Sequence, residues 1–137
     1  MVLDYTDVNW VAVVVAAVAQ IVIGFIWYLP QVFGTRWAAA TGRPLPSAGQ
    51  IPPMTYVAGI VVALLAAYVL ALFVRGLGAT TVTDGAIVGF LAWLGFVATA
   101  TYVGVLFEGR SMSSWLINAG ATLVEAVVMG AIIGYLA

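Results

Sequence analysis

Glu125 stands near the middle of the last apolar stretch of this chain, while the other acids, Asp4, Asp7, Asp84 and Glu108, lie at or beyond the ends of such stretches. An ionised carboxylate at mid-bilayer costs at least about 2.5 to 3.5 kcal/mol, so this side chain must face protein or water rather than lipid. Ser114, Asn118, Thr122 and Glu125 follow the spacing i, i+4, i+8, i+11 and share one helical face. Beyond the acid the same face continues as Met129 and Ile132, so the polar track stops at Glu125. Gln20 lies at comparable depth in the first apolar stretch, on a face with Asn9, Gly24, Trp27 and Gln31, and can meet Glu125 at the midplane. Trp93 is the one Trp that no membrane interface explains, and its indole N–H can reach the same level. Thr99 and Tyr102 carry polar character on toward the mouth. The candidate site is therefore an intramembrane polar cluster of Glu125, Gln20, Trp93, Asn118, Thr122 and Tyr102.

Two chemistries fit such a cluster. In one, the acid keeps its proton and donates a hydrogen bond to Gln20 or to a backbone carbonyl, tying helices together. In the other, it exchanges a proton or binds a cation through the polar track. Other chemistry is poorly provided for. The sequence holds no Cys and no His, which removes thiolate and imidazole metal sites, disulfides and His-based triads. No nucleophile has an adjacent base, so neither an enzyme nor a bound cofactor or metal is expected. A net charge of -1 offers no basic field for nucleic acid.

The elements that must position the cluster follow from composition. Of 137 residues 65% are hydrophobic and 7% charged, too few solvated side chains to cover a soluble globule. Four stretches reach the roughly 20 apolar residues a spanning helix needs: about Val8 to Leu29, Met54 to Val74, Asp84 to Phe107 and Ser113 to Leu136. The expected class is an all-α polytopic membrane protein, a single domain over residues 1–137 built as a four-helix transmembrane bundle. Thr6 or Asp7, Thr83 or Asp84, and Ser111 or Ser113 are the expected caps; Pro30, Gly76 and Gly109 are the expected stops. Asp4 and Asp7 occupy the place of a basic n-region, so the first helix is expected to be retained rather than cleaved.

Phe33, Trp37 and Ala40 recur at helical spacing beside Arg36, which predicts a short interfacial helix over Gln31 to Thr41. The Pro-rich run from Arg43 to Pro53 reads as an extended linker, the natural place for a lid or partner contact. Arg36, Arg43 and Arg110 fall on one side of the membrane and Arg75 on the other, so both termini are expected to face away from the cytoplasm. Tyr5, Trp10 and Tyr135 would anchor one interface, and Trp27, Tyr28, Trp37, Tyr56 and Trp115 the other. Gly85 with Gly89, Gly130 with Gly134, and Gly59 with Ala63 are small-residue pairs suited to close helix contacts, within the chain or between copies.

A wider pattern joins these features. Asn9-Trp10, Gly24, Trp27-Tyr28, Pro30, Phe33-Gly34, Trp37, Leu106-Phe107-Glu108-Gly109-Arg110, Asn118-Ala119-Gly120 and Met129-Gly130 run through nearly the whole chain. In them the chain resembles the membrane-protein family catalogued as domain of unknown function 1761. The resemblance implies a compact four-helix protein of bacterial or fungal membranes with no assigned activity, hence no catalytic residues to carry over. Two functions are expected to compete. One is a non-enzymatic bundle or small complex subunit that associates with lipids and with copies of itself or a partner, with Glu125 as packing contact. The other is a small proton- or cation-coupled carrier with Glu125 as coupling acid, a small-molecule ligand, and Trp27, Trp93 and Tyr102 as cavity walls. The expected location is the cell membrane, of a bacterium by this resemblance.

Overall fold

The computed structural model describes residues 3–137, and all regular structure among them is helical. The order is α1 (Trp10–Trp27), α2 (Thr35–Thr41), α3 (Pro53–Gly76), α4 (Val82–Ala92), α5 (Thr99–Phe107) and α6 (Met112–Tyr135). A π-helical turn, Trp93–Ala98, joins α4 to α5 so that Val82–Phe107 forms one span. With α1, α3 and α6 this makes four helices long and apolar enough to cross a membrane. The short helix α2 follows the first span.

Local chemistry sets the helix ends. Asn9, not Thr6 or Asp7, caps α1, its Oδ1 accepting from the amides of Val11 and Ala12. Asn caps as well as Asp and stands directly before the apolar run. Asp4 instead folds the preceding segment by accepting from the Thr6 and Asp7 amides, and Asp7 pairs with Arg75. The third span is capped by Thr81, earlier than Thr83 or Asp84, and α6 by Ser111. The left-handed glycine after α3 is Gly78 rather than Gly76, at φ 71°. Pro30 opens a π turn, Pro30–Gly34, instead of simply ending the helix. That turn needs a glycine at its end, because a Cβ at Gly34 would lie 2.2 Å from the Tyr28 carbonyl oxygen. The linker is interrupted by one 3-10 turn, Ala48–Gln50.

The principal contacts run from α3 to α1, from α1 to α6 and from α6 to α4; α3 also touches α6 but meets α4 only slightly. α6 is the hub. The Gly85/Gly89 and Gly130/Gly134 motifs face one another across α4 and α6, with backbone against backbone: a Cβ at Gly85 would come 2.0 Å from the Gly130 carbonyl oxygen. The third small-residue pair is different. Nothing lies within 4 Å of a Cβ at Gly59, whereas Ala63 is buried and its stripe continues as Ala67 and Ala71 against Ala12, Ala16 and Ala17 of α1. Small residues thus bring both neighbours of the central pair close. Large apolar side chains such as Phe25, Leu65, Phe96 and Leu106 point outward, as lipid-facing positions do.

Candidate functional site

The α1–α6 seam holds the centre of the cluster. Glu125 is 9% exposed on α6, and the position opposite it on α1 is Gly24, where a Cβ would lie 3.2 Å from the carboxyl Oε1. A glycine there makes room for the acid. One turn away along α1, the Gln20 side chain stands beside the Glu125 carboxyl, and its Oε1 is buried without a hydrogen-bond partner, so the acid does not donate to it as expected. Gln20 and Glu125 therefore meet.

Aromatic residues at the end of α1 clamp it to α6. The Trp27 indole donates to the Ile117 carbonyl at 2.9 Å and its ring sits between Phe33 and the bare backbone of Gly120. The Tyr28 hydroxyl donates to Asn118 Oδ1 at 2.6 Å. These two residues were expected as interface anchors; they are also interhelical ties. The signal was present in the sequence, since Gln20, Gly24 and Tyr28 are spaced i, i+4, i+8.

Trp93 lies on the other flank of α6 and donates to Thr122 Oγ1 at 2.9 Å. Thr122 is itself tied to the Asn118 carbonyl at 3.2 Å. The indole therefore stands one turn short of the acid. Tyr102 does not join this group: its ring meets Trp115 edge-on at 5.0 Å, and Trp115 donates to Thr101. Tyr102 follows Trp93 by nine residues, a rise of about 13 Å, which sets it nearer the mouth, and the π turn at Trp93–Ala98 turns the segment after it by about 100° relative to an unbroken α-helix.

The polar face of α6 opens at the end that carries Arg43 and Arg110. A cavity of about 380 Å³ there is lined by Trp37, Arg43, Arg110, Ser111, Ser114 and Asn118, among others. A narrower crevice of about 90 Å³ runs between α5 and α6 past Thr101, Ser114 and Asn118 to Thr122. Its lining does not include Glu125. Among the described residues no group of three His, Cys, Asp or Glu side chains stands close enough to hold a metal ion. What the arrangement offers is a buried carboxyl–amide pair, and below it a ladder of hydroxyl and amide groups leading to two guanidinium groups.

A family model described as protein of unknown function (DUF1761) matches residues 11–134. The chain belongs to this family. No curated protein and no solved structure matches it. The residues matched include the whole Gln20–Glu125 seam and both glycine motifs, so the DUF1761 region and the four-span unit are nearly the same stretch of chain.

Proposed function

We propose that this DUF1761 protein is a non-enzymatic membrane protein, a self-assembling unit or a small subunit of a larger complex, in which Glu125 locks α1 to α6 through Gln20. The observation that carries this reading is the seating of the acid: 9% exposed, against Gly24, beside Gln20, with the crevice on α6 ending at Thr122. A carboxyl held this way contributes interhelical hydrogen bonding, worth about 0.6 kcal/mol on average and up to about 1.7 in membrane proteins. On this reading Glu125→Gln, which keeps a hydrogen-bonding group, retains the wild-type stability in mild detergent, and Glu125→Leu lowers it. Loss of an ion or proton flux in Glu125→Gln, at unchanged stability, would overturn it.

A second reading rests on one specific feature, the unpartnered Gln20 Oε1 beside the acid. A buried acceptor with no donor is expensive and is where a water, a proton or a cation gains most. Joined to the polar ladder below, it supports a proton- or cation-coupled carrier with Glu125 as coupling acid. Proteoliposomes distinguish the two: a carrier shows substrate-driven proton movement in wild type and none in Glu125→Gln.

A further inference from the structure

Three of the four arginines of this chain gather at the end of the molecule remote from its termini, and they line two adjoining hollows. Arg43 and Arg110 border the polar cavity of about 380 Å³ with Ser111, Ser114 and Asn118. Arg36 stands at the rim of a neighbouring groove of about 580 Å³ whose walls include Phe33, Leu116 and Ile117. The two hollows share Ala40 and Ser111, whose hydroxyl donates to the Ala40 carbonyl at 3.3 Å, so a polar compartment and an apolar one adjoin on either side of that contact between α2 and α6.

The guanidinium groups there are under-neutralised. Among the described residues Arg43 has no ion pair, and Arg110 meets Glu108 only through Nε, at 3.3 Å. Glu108 is the single acid near that end; Asp4, Asp7 and Asp84 belong to the opposite end and Glu125 is buried in the seam. A second copy of the chain in the same orientation brings only its own Glu108 to this level of the membrane. An anion with a hydrocarbon tail could bring the negative charge, and the surrounding membrane supplies one in every leaflet that contains acidic lipid. Arginine forks match phosphate oxygens, and basic pockets between membrane helices hold anionic headgroups.

We propose that this DUF1761 protein binds an anionic phospholipid here, its phosphate between Arg43 and Arg110 over Ser111 and Asn118, and one acyl chain in the groove beside Phe33 and Leu116. The site does not depend on which role Glu125 plays.

Native mass spectrometry of the full-length protein, released from detergent with equal amounts of phosphatidylglycerol and phosphatidylcholine of matched chains, tests this. The expected result is preferential retention of phosphatidylglycerol by about tenfold or more, falling about fivefold in Arg43→Gln, since each cation near a charged headgroup contributes on that order. Arg75→Gln, at the other end, leaves the preference unchanged. Ala39→Trp, which fills the groove, removes the lipid. Equal retention of the two lipids, an Arg43→Gln protein with wild-type preference, or an equal loss in Arg75→Gln would each overturn the proposal. Glycerol phosphate protecting the protein against heating as strongly as phosphatidylglycerol, with Ala39→Trp without effect, would assign the cavity to a soluble anion and refute the lipid assignment. Among the described residues Arg43 has no ion pair to lose, so Arg43→Gln changes the site's charge without breaking a salt bridge of the fold.

Discussion

Substituting Gly85 by Ala probes the closest helix contact in the molecule. The added Cβ would lie 2.0 Å from the Gly130 carbonyl oxygen and 3.0 Å from Gly134 Cα, and both obstacles are backbone. No rotamer relieves such a clash. The helices must part by roughly 1 Å or more, which opens the neighbouring contacts Gly89–Ala126 and Gly134–Thr81 as well. Overpacking of this kind costs about 1–3 kcal/mol, offset by the roughly 0.8–1 kcal/mol by which Ala exceeds Gly as a helix former. A net loss of up to about 2 kcal/mol, and a stability about 1–3 kcal/mol below that of an unhindered Gly→Ala change, is expected for Gly85→Ala, and the same for Gly130→Ala, whose Cβ would lie 2.2 Å from the Gly85 carbonyl oxygen. Gly59→Ala and Gly95→Ala are the controls, since nothing stands within 4 Å of either new methyl group.

The assay is reversible unfolding of the purified protein from mild detergent into dodecyl sulfate, followed by far-ultraviolet circular dichroism and Trp fluorescence. The double variant Gly85→Ala/Gly130→Ala adds a diagnostic. Once the helices have separated for the first methyl, the second meets less resistance, so the pair should cost less than the two singles together. Gly85→Ala as stable as Gly59→Ala would refute the claim that backbone contact between α4 and α6 holds the fold.

Trp93→Phe removes the donor to Thr122 and should cost about 0.6 kcal/mol, no more than about 1.7, in the same unfolding assay; Thr122→Val, which also gives up the hydroxyl's bond to the Asn118 carbonyl, should cost less in the Trp93→Phe background than alone, because the indole bond is already gone. Arg75→Gln breaks the 2.6 Å pair with Asp7, but both side chains are more than a third exposed, so the loss should stay below about 1 kcal/mol and shrink in high salt. The Asp4 carboxyl is held below its ordinary value of 3.8 chiefly by the hydrogen bond from the Thr6 hydroxyl, helped by the Thr6 amide. Its folded pKa is lowered, so the turn it forms is fully favoured above the ordinary carboxylate range and is lost only as pH falls below that range. The Thr6 amide resonance should therefore hold steady from neutral pH down to about 4 and move only in stronger acid. Movement between pH 5 and 7 would contradict that assignment.

Periodicity and length made the four spans legible, because each must bury its backbone polar groups in its own helix and present an apolar surface. The Gln20–Glu125 encounter was legible for a related reason: both are costly in lipid, and each lies far from either end of its span. Tyr102 lies toward the mouth as its distance along the span requires, but its ring partner Trp115 was not legible, because the π turn in Trp93–Ala98 leaves no composition signal and shifts the register of all that follows. Gly59 and Ala63 show a second limit. The spacing of small residues marks a surface where backbones can approach, but Ala67 and Ala71 continue the stripe that is used, and Gly59 faces away from it. The bonds of Trp27, Tyr28 and Trp115 were masked because the same residue types also mark membrane interfaces, whereas Trp93, which no interface explains, stood out as a donor within the cluster.

The two ends of the molecule are built on different terms, and this asymmetry bears on any role for the seam between them. At the end that carries the termini the glycine motifs close α4 on α6, Asn9 donates to the Leu136 carbonyl at 2.8 Å, Tyr68 donates to the Tyr5 carbonyl at 2.7 Å, and Trp10 stacks on Tyr68. Backbone contacts and alanine stripes leave little room there for a side chain to yield. At the arginine end large rings separate the helices: Trp115 stands between α5 and α6, and Trp27 and Phe33 between α1 and α6. The polar face of α6 is open where the rings hold the helices apart and closed where glycines bring them together. The crevice from the arginine end runs past Asn118 and stops at Thr122, one turn short of Glu125. The bonds Tyr28–Asn118 and Trp93–Thr122 stand on that path, one on each flank of α6. Tyr28→Phe and Trp93→Phe together would therefore loosen the approach without touching the acid. If Glu125 is purely a packing contact, the double variant loses only the stability of two hydrogen bonds; if the acid is reached from that side, its carboxyl infrared band becomes sensitive to pH in the variant at a rate the wild type does not show.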